Sequence, residues 1–89
     1  MPQNTFEAVR AEALFASTIQ SSDRPTGVEV RGAVAATLRK FGIRGCAAAV
    51  AGEYGEHPDT ACARMTWALA TVRASYPVYV ARDTLALAG

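Results

Sequence analysis

Long hydrophobic runs, histidine and cysteine are all scarce in this sequence. The longest apolar run, Cys46 to Ala51, has six residues, whereas a helix that crosses a bilayer needs about 20. One histidine and two cysteines are too few ligands for a structural zinc site or a disulfide framework. The sequence does not begin with basic residues followed by an apolar stretch, so a signal peptide is not predicted. The sequence therefore predicts a cytoplasmic domain without a membrane span, a metal or a cofactor.

A large excess of charge of either sign is also lacking. Nine Lys and Arg stand against eight Asp and Glu, and 51% of the 89 residues are apolar, which excludes a disordered chain. The length supports one small domain. Nineteen residues are alanine, and so small a side chain buries little area, so we expect self-association, with a homodimer as the simplest form.

The sequence lacks a recognisable arrangement of catalytic side chains, such as a nucleophile with an oriented histidine or a pair of catalytic carboxylates. His57 precedes Pro58 at an expected turn, where a capping or exposed role is ordinary, and a nucleophile would need an oriented histidine. Glu53 and Glu56 are typical of a solvated helix end. The glycines punctuate helices and do not follow a strand, as a phosphate-binding loop requires. We expect a protein that is not an enzyme.

Apolar spacing predicts an all-α domain over residues 1–76, a small bundle of about four helices, with a C-terminal tail or arm over 77–89. The first helix is expected to begin at the cap Asn4. In the second, Thr26 and Glu29 form a capping box, and Gly42 supplies a closing residue with positive φ. Its core stripe is predicted to be Val30, Val34, Leu38 and Phe41.

The third and fourth helices are expected to form a pair. The third covers residues 46–54, after a short connector at 43–45. The fourth runs from Pro58, which suits a first helical position, to about Ser75, before Pro77. Its predicted core face consists of Ala61, Cys62, Met65, Ala68, Leu69 and Val72, and both cysteines are expected to be buried apolar groups.

Residues 46–67 resemble the helix-turn-helix of bacterial DNA-binding proteins. Ala51 lets two helices approach closely, and Gly55, four positions on, takes the turn conformation before the next helix. The resemblance implies that this next helix enters the major groove and that its early residues meet base edges. Those residues are Asp59, Thr60, Ala63, Arg64 and Trp67.

The first functional hypothesis is therefore a small DNA-binding regulator of transcription or of a mobile element, with double-stranded DNA as its partner. Thr60 and Arg64 are expected to face bases. Phosphate contacts are assigned to Arg39, Lys40 and Arg44, because residues 31–44 contain four cations and no acid.

The second hypothesis is a non-enzymatic interaction module, such as an adaptor, an antitoxin-like inhibitor or a regulatory subunit. Glu53, Glu56 and Asp59 surround the turn and oppose phosphate binding. Trp67 lies among small residues on one helix face, which predicts an apolar patch for a second copy or another protein. The proposed interface is Ala63, Trp67, Ala70 and Ala74; burial of Trp67 as ordinary core is the alternative.

Overall fold

The computed structural model describes residues 5–76, which form an all-helical domain, as predicted. The number of α-helices is three in this range, so the prediction of about four is wrong. Asn4 and the tail 77–89 lie outside the described residues. The elements are α1 (Thr5–Ala16), a 3₁₀ turn (Ser21–Asp23), α2 (Gly27–Glu56) and α3 (Pro58–Ser75).

Local capping signals set the starts of α2 and α3. The Thr26 hydroxyl accepts a hydrogen bond from the Glu29 N–H at 3.2 Å, and the Glu29 carboxylate accepts one from the Thr26 N–H at 2.8 Å. This reciprocal pair confirms the predicted capping box. Pro58 occupies the first position of α3, where a missing N–H has no intrahelical partner to lose. The predicted end at Ser75 is also confirmed.

Gly42 interrupts α2 and divides it into two helical segments. Its φ of 74° and ψ of 171° lie in a region that is essentially restricted to glycine. The positive φ predicted there is present. The expected connector at 43–45 is not, because one residue in this conformation redirects the chain and the helix resumes immediately.

The bend at Gly42 allows both ends of α2 to contact α3. A straight helix of 30 residues would span about 45 Å, whereas the 18 residues of α3 span about 27 Å. One end of α2 reaches α3 through His57 alone. At the other end, the Arg31 guanidinium donates a hydrogen bond to the Ser75 carbonyl at 2.8 Å. A straight α2 could not make both contacts.

The core between the three helices contains unusually small side chains. Ala11, Ala13, Ala61 and Ala68 are at most 2% exposed, so the helices pack closely around them. The larger buried apolar residues are Leu14, Phe15, Val30, Val34, Val50 and Val72. Arg64, on α3, lies beside this core and is described below.

Two core predictions are wrong. Phe41 has the spacing of a core residue but is 50% exposed, because the break at the next residue removes it from the buried stripe. Cys62 is exposed, whereas Cys46 is buried as expected. Burial raises the pKa of the Cys46 thiol, and the charge of Glu12 adds to the shift.

Replacement of Gly42 by alanine should destabilise the domain by about 1–3 kcal/mol, because a Cβ atom disfavours this φ and ψ. Gly32→Ala is the matched control. Gly32 is helical with open space around its Cα, so alanine there should stabilise by about 0.5–1 kcal/mol. Urea denaturation followed by circular dichroism measures the free energy of unfolding of both variants. Equal values for the two variants would contradict the positive φ of Gly42.

Candidate nucleic-acid interface

The Arg64 side chain joins α3 to the C-terminal end of α1. Its Nε donates to the Phe15 carbonyl at 2.8 Å, and its Nη2 donates to Ser17 and Ile19 carbonyls at 3.1 and 2.9 Å. A longer contact, 3.4 Å, reaches the Leu14 carbonyl. Helix ends leave carbonyl groups without intrahelical donors, and this one guanidinium supplies several at once.

Aromatic rings hold the same guanidinium from its faces. The Arg64 Cζ atom lies 5.0 Å from the centroid of Trp67 and 5.5 Å from that of Phe15, within the range of a cation–π interaction. Burial lowers the pKa of Arg64, and the charge of Glu53 opposes the shift. The guanidinium therefore binds groups of the domain itself. The helix-turn-helix hypothesis expected this group to face bases, and it is not placed to do so.

Other arginines also serve the fold. Arg73 forms an ion pair with Glu7 between α3 and α1. The Arg10 guanidinium lies 4.0 Å from the centroid of Tyr76, and Arg31 bonds to Ser75 as described above. Among these three arginines, Arg73 is the one paired with an acid, and the other two guanidinium groups are held against a carbonyl or a ring of the domain.

The cations around Gly42 are arranged differently. Arg39, Lys40 and Arg44 are exposed, and within residues 5–76 none of them forms a hydrogen bond or an ion pair. Lys40 makes one internal contact, with its Nζ 5.3 Å from the centroid of Phe41. We call residues 39–44 the basic kink. The structure thus leaves exposed the three residues that the sequence assigned to phosphate contact.

The junction of α2 and α3 differs from the expected helix-turn-helix. A single residue, His57, separates the two helices, whereas the motif uses a turn of about three or four residues. The carboxylates of Glu53, Glu56 and Asp59 are all exposed around it. Thr60 is exposed on the first turn of α3 but has these acids as neighbours.

The proposed interface around Trp67 is only partly assembled. Trp67 is half-buried and packs against the core, as its alternative interpretation predicted. Its outer edge, with Ala70 and Ala74, lines a groove of about 410 Å³ against the segment 21–27. Ala63 is exposed on the same helix but does not line the groove.

Sequence reasoning missed two features of this surface. Phe41 and Ile43 are 50% and 58% exposed beside the cations of the basic kink, although Phe41 has core spacing. The available signal was a pair of glycines, Gly42 and Gly45, close together within a helical pattern. The second missed feature is the internal role of Arg64, for which the sequence holds no local signal.

Arg64→Lys should destabilise the domain by about 1–3 kcal/mol, because an ammonium group cannot supply the planar set of donors that several partly buried carbonyls share. Arg73→Lys, on the same helix, should change stability by less than about 1 kcal/mol, since that ion pair is exposed. Thermal unfolding compares the two variants. If Arg64→Lys unfolds at the wild-type temperature, the capping role is wrong.

Within residues 5–76, each helix is too short or too polar to span a membrane. In the same range, the histidine, cysteine and acidic side chains do not form a group of three that could hold a metal ion. No protein-family model, curated protein or solved structure matches this chain. The candidate function therefore depends on the surfaces described above.

Proposed function

We propose that this domain is a small, non-enzymatic DNA-binding regulator that contacts the phosphate backbone through the basic kink. The observation that carries the proposal is the exposure of Arg39, Lys40 and Arg44 without internal ion-pair partners. Arg24 is also exposed but directly follows Asp23, whereas the three cations of the basic kink lie within six residues that contain no acid and are available to neutralise phosphates. Neutralisation of phosphates supplies most of the affinity of a protein for DNA.

The acidic residues at the α2–α3 junction are too distant to cancel this charge. Nine positions separate Arg44 from Glu53, which corresponds to about 14 Å along a helix. Surface charges are screened over about 8 Å at physiological ionic strength. The basic kink can therefore attract a polyanion although the whole chain has a net charge of only +1. The same acids repel phosphates from the start of α3, which favours the proposed contact at the kink.

Binding of a labelled random-sequence duplex should be measured by fluorescence anisotropy over a range of salt concentrations. We expect salt-sensitive binding, and each of Arg39→Gln, Lys40→Gln and Arg44→Gln should reduce the slope of log K against log salt by about 0.9 per lost phosphate contact. The reason is that each contact releases its own condensed counterions.

Arg73→Gln is the matched control, because it removes the same unit of charge from an exposed arginine elsewhere. It should leave the slope unchanged. An equal loss for Arg73→Gln and Arg44→Gln would show that only net charge matters. Absence of binding at low salt would overturn the proposal.

The groove beside Trp67 favours a second candidate, an interaction module. Trp67, Ala70 and Ala74 form one wall of the groove, and small side chains around an aromatic edge suit close contact with another helix. A second copy of this chain is the simplest occupant, given the expected self-association of so small a domain. This function does not require any contact with nucleic acid.

Sedimentation velocity over a range of protein concentrations tests the second candidate. Ala70→Glu places a charge in the groove and should abolish self-association, because a buried unpaired carboxylate is strongly unfavourable. Ala63→Glu adds the same charge on α3 outside the groove and should leave self-association intact. A wild-type protein that stays monomeric, or equal effects of both variants, would exclude the groove as a homodimer interface.

A further inference from the structure

Two large apolar side chains are exposed on either side of the break in α2 at Gly42. Phe41 and Ile43 flank Gly42 and are 50% and 58% exposed. Because a continuous helix would keep Phe41 on the stripe of Val34 and Leu38, its exposure is a direct result of the break. Exposed apolar groups beside cations indicate a surface that makes contacts.

Glycine at two positions holds this arrangement in place. Gly42 has the positive φ that separates Phe41 from Ile43. A Cβ atom on Gly45 would lie 2.9 Å from the Phe41 Cβ, closer than two such atoms approach, so glycine there leaves room for Phe41 across the bend. The Lys40 ammonium lies near the Phe41 ring, and Arg44 follows Ile43 directly.

We propose that Phe41 and Ile43 form an apolar wedge that enters the minor groove of duplex DNA and unstacks one base step. The inference rests on the proposed function, because Arg39, Lys40 and Arg44 would hold the phosphates on the two sides of the step. Phe and Ile are among the residues that proteins insert between bases in this way, and the result is a kinked duplex. Flexible pyrimidine–purine steps such as TA yield most easily.

The shape of the apolar surface favours DNA over a lipid membrane. A helix that lies on a membrane buries a long apolar face along its length. Here the nearest exposed apolar positions on either side, such as Ala36 and Ala48, carry small side chains. The next large exposed apolar residues of α2, Val28 and Tyr54, lie more than ten positions away. Near the kink, the large exposed apolar side chains of the described residues are therefore Phe41 and Ile43, a small apolar surface of the kind that proteins insert at a base step.

The test uses a duplex with 2-aminopurine in a central TA step, since the emission of this base rises when it is unstacked. Affinity is followed in parallel by anisotropy. The wild-type chain should bind and raise the emission. Phe41→Ala should lose the rise and weaken binding by about tenfold, the usual effect of removing an aromatic ring stacked on a base. Ile43→Ala should also lose the rise in emission.

Val28→Ala is the control, because Val28 is also a highly exposed apolar residue of α2 but lies far from the kink in sequence. It should keep both the affinity and the emission change. Circular dichroism checks that each variant is folded. If Phe41→Ala does not fold, the emission change of Ile43→Ala tests the wedge.

The outcomes separate the wedge from the proposed function. Salt-sensitive binding without a rise in emission overturns the wedge and leaves the phosphate contacts intact. Absence of duplex binding overturns both. Flotation with vesicles of an anionic phospholipid is measured alongside, and binding there that depends on Phe41 or Ile43, without duplex binding, would assign the apolar pair to a membrane surface.

Discussion

The backbone conformation of Gly42 is the constraint on which the rest of this structure depends. A 30-residue helix must bend if both of its ends are to contact an 18-residue partner. The bend requires a residue that accepts a positive φ at little cost. The same residue both closes the bundle and turns Phe41 outward. Fold and candidate surface therefore share one origin. A change that straightened α2 would remove both.

The arginines of the domain divide into two groups by their surroundings. Arg64 and Arg31 donate to backbone carbonyls at helix ends, and these contacts join segments far apart in the chain. Arg39 and Arg44 remain exposed at the bend. The net charge of the chain, close to zero, hides this division. The surface that a polyanion meets is set by which guanidinium groups the fold has already used.

Local signals in the sequence were sufficient for some elements and insufficient for others. The Thr26–Glu29 capping box and the limits of α3 depend on neighbouring residues, and both were predicted correctly. The immediate return to helix after Gly42, in place of the connector expected at 43–45, does not follow from the sequence. A glycine with positive φ can be followed by a loop or by another helix, and tertiary packing decides between them. The role of Arg64 depends on carbonyls 45–50 positions away, and no local pattern encodes such a contact. For the candidate site, the sequence predicts the three cations, which are exposed in the structure, but it does not predict the exposed apolar pair between them.

The alanine-lined core has a consequence for how this sequence can change over evolutionary time. At Ala13 and Ala68, which are fully buried, even one added methyl group must push helices apart, and overpacking of this kind costs about 1–3 kcal/mol. In a core of large side chains, a larger residue at one position can be compensated by a smaller residue at a neighbouring position. In a core of alanines, the neighbours are already too small for such compensation. We therefore expect relatives of this chain to vary at exposed positions away from the basic kink and to keep small residues at these contacts. Close helix packing would then be the feature that identifies distant relatives when the rest of the sequence has diverged.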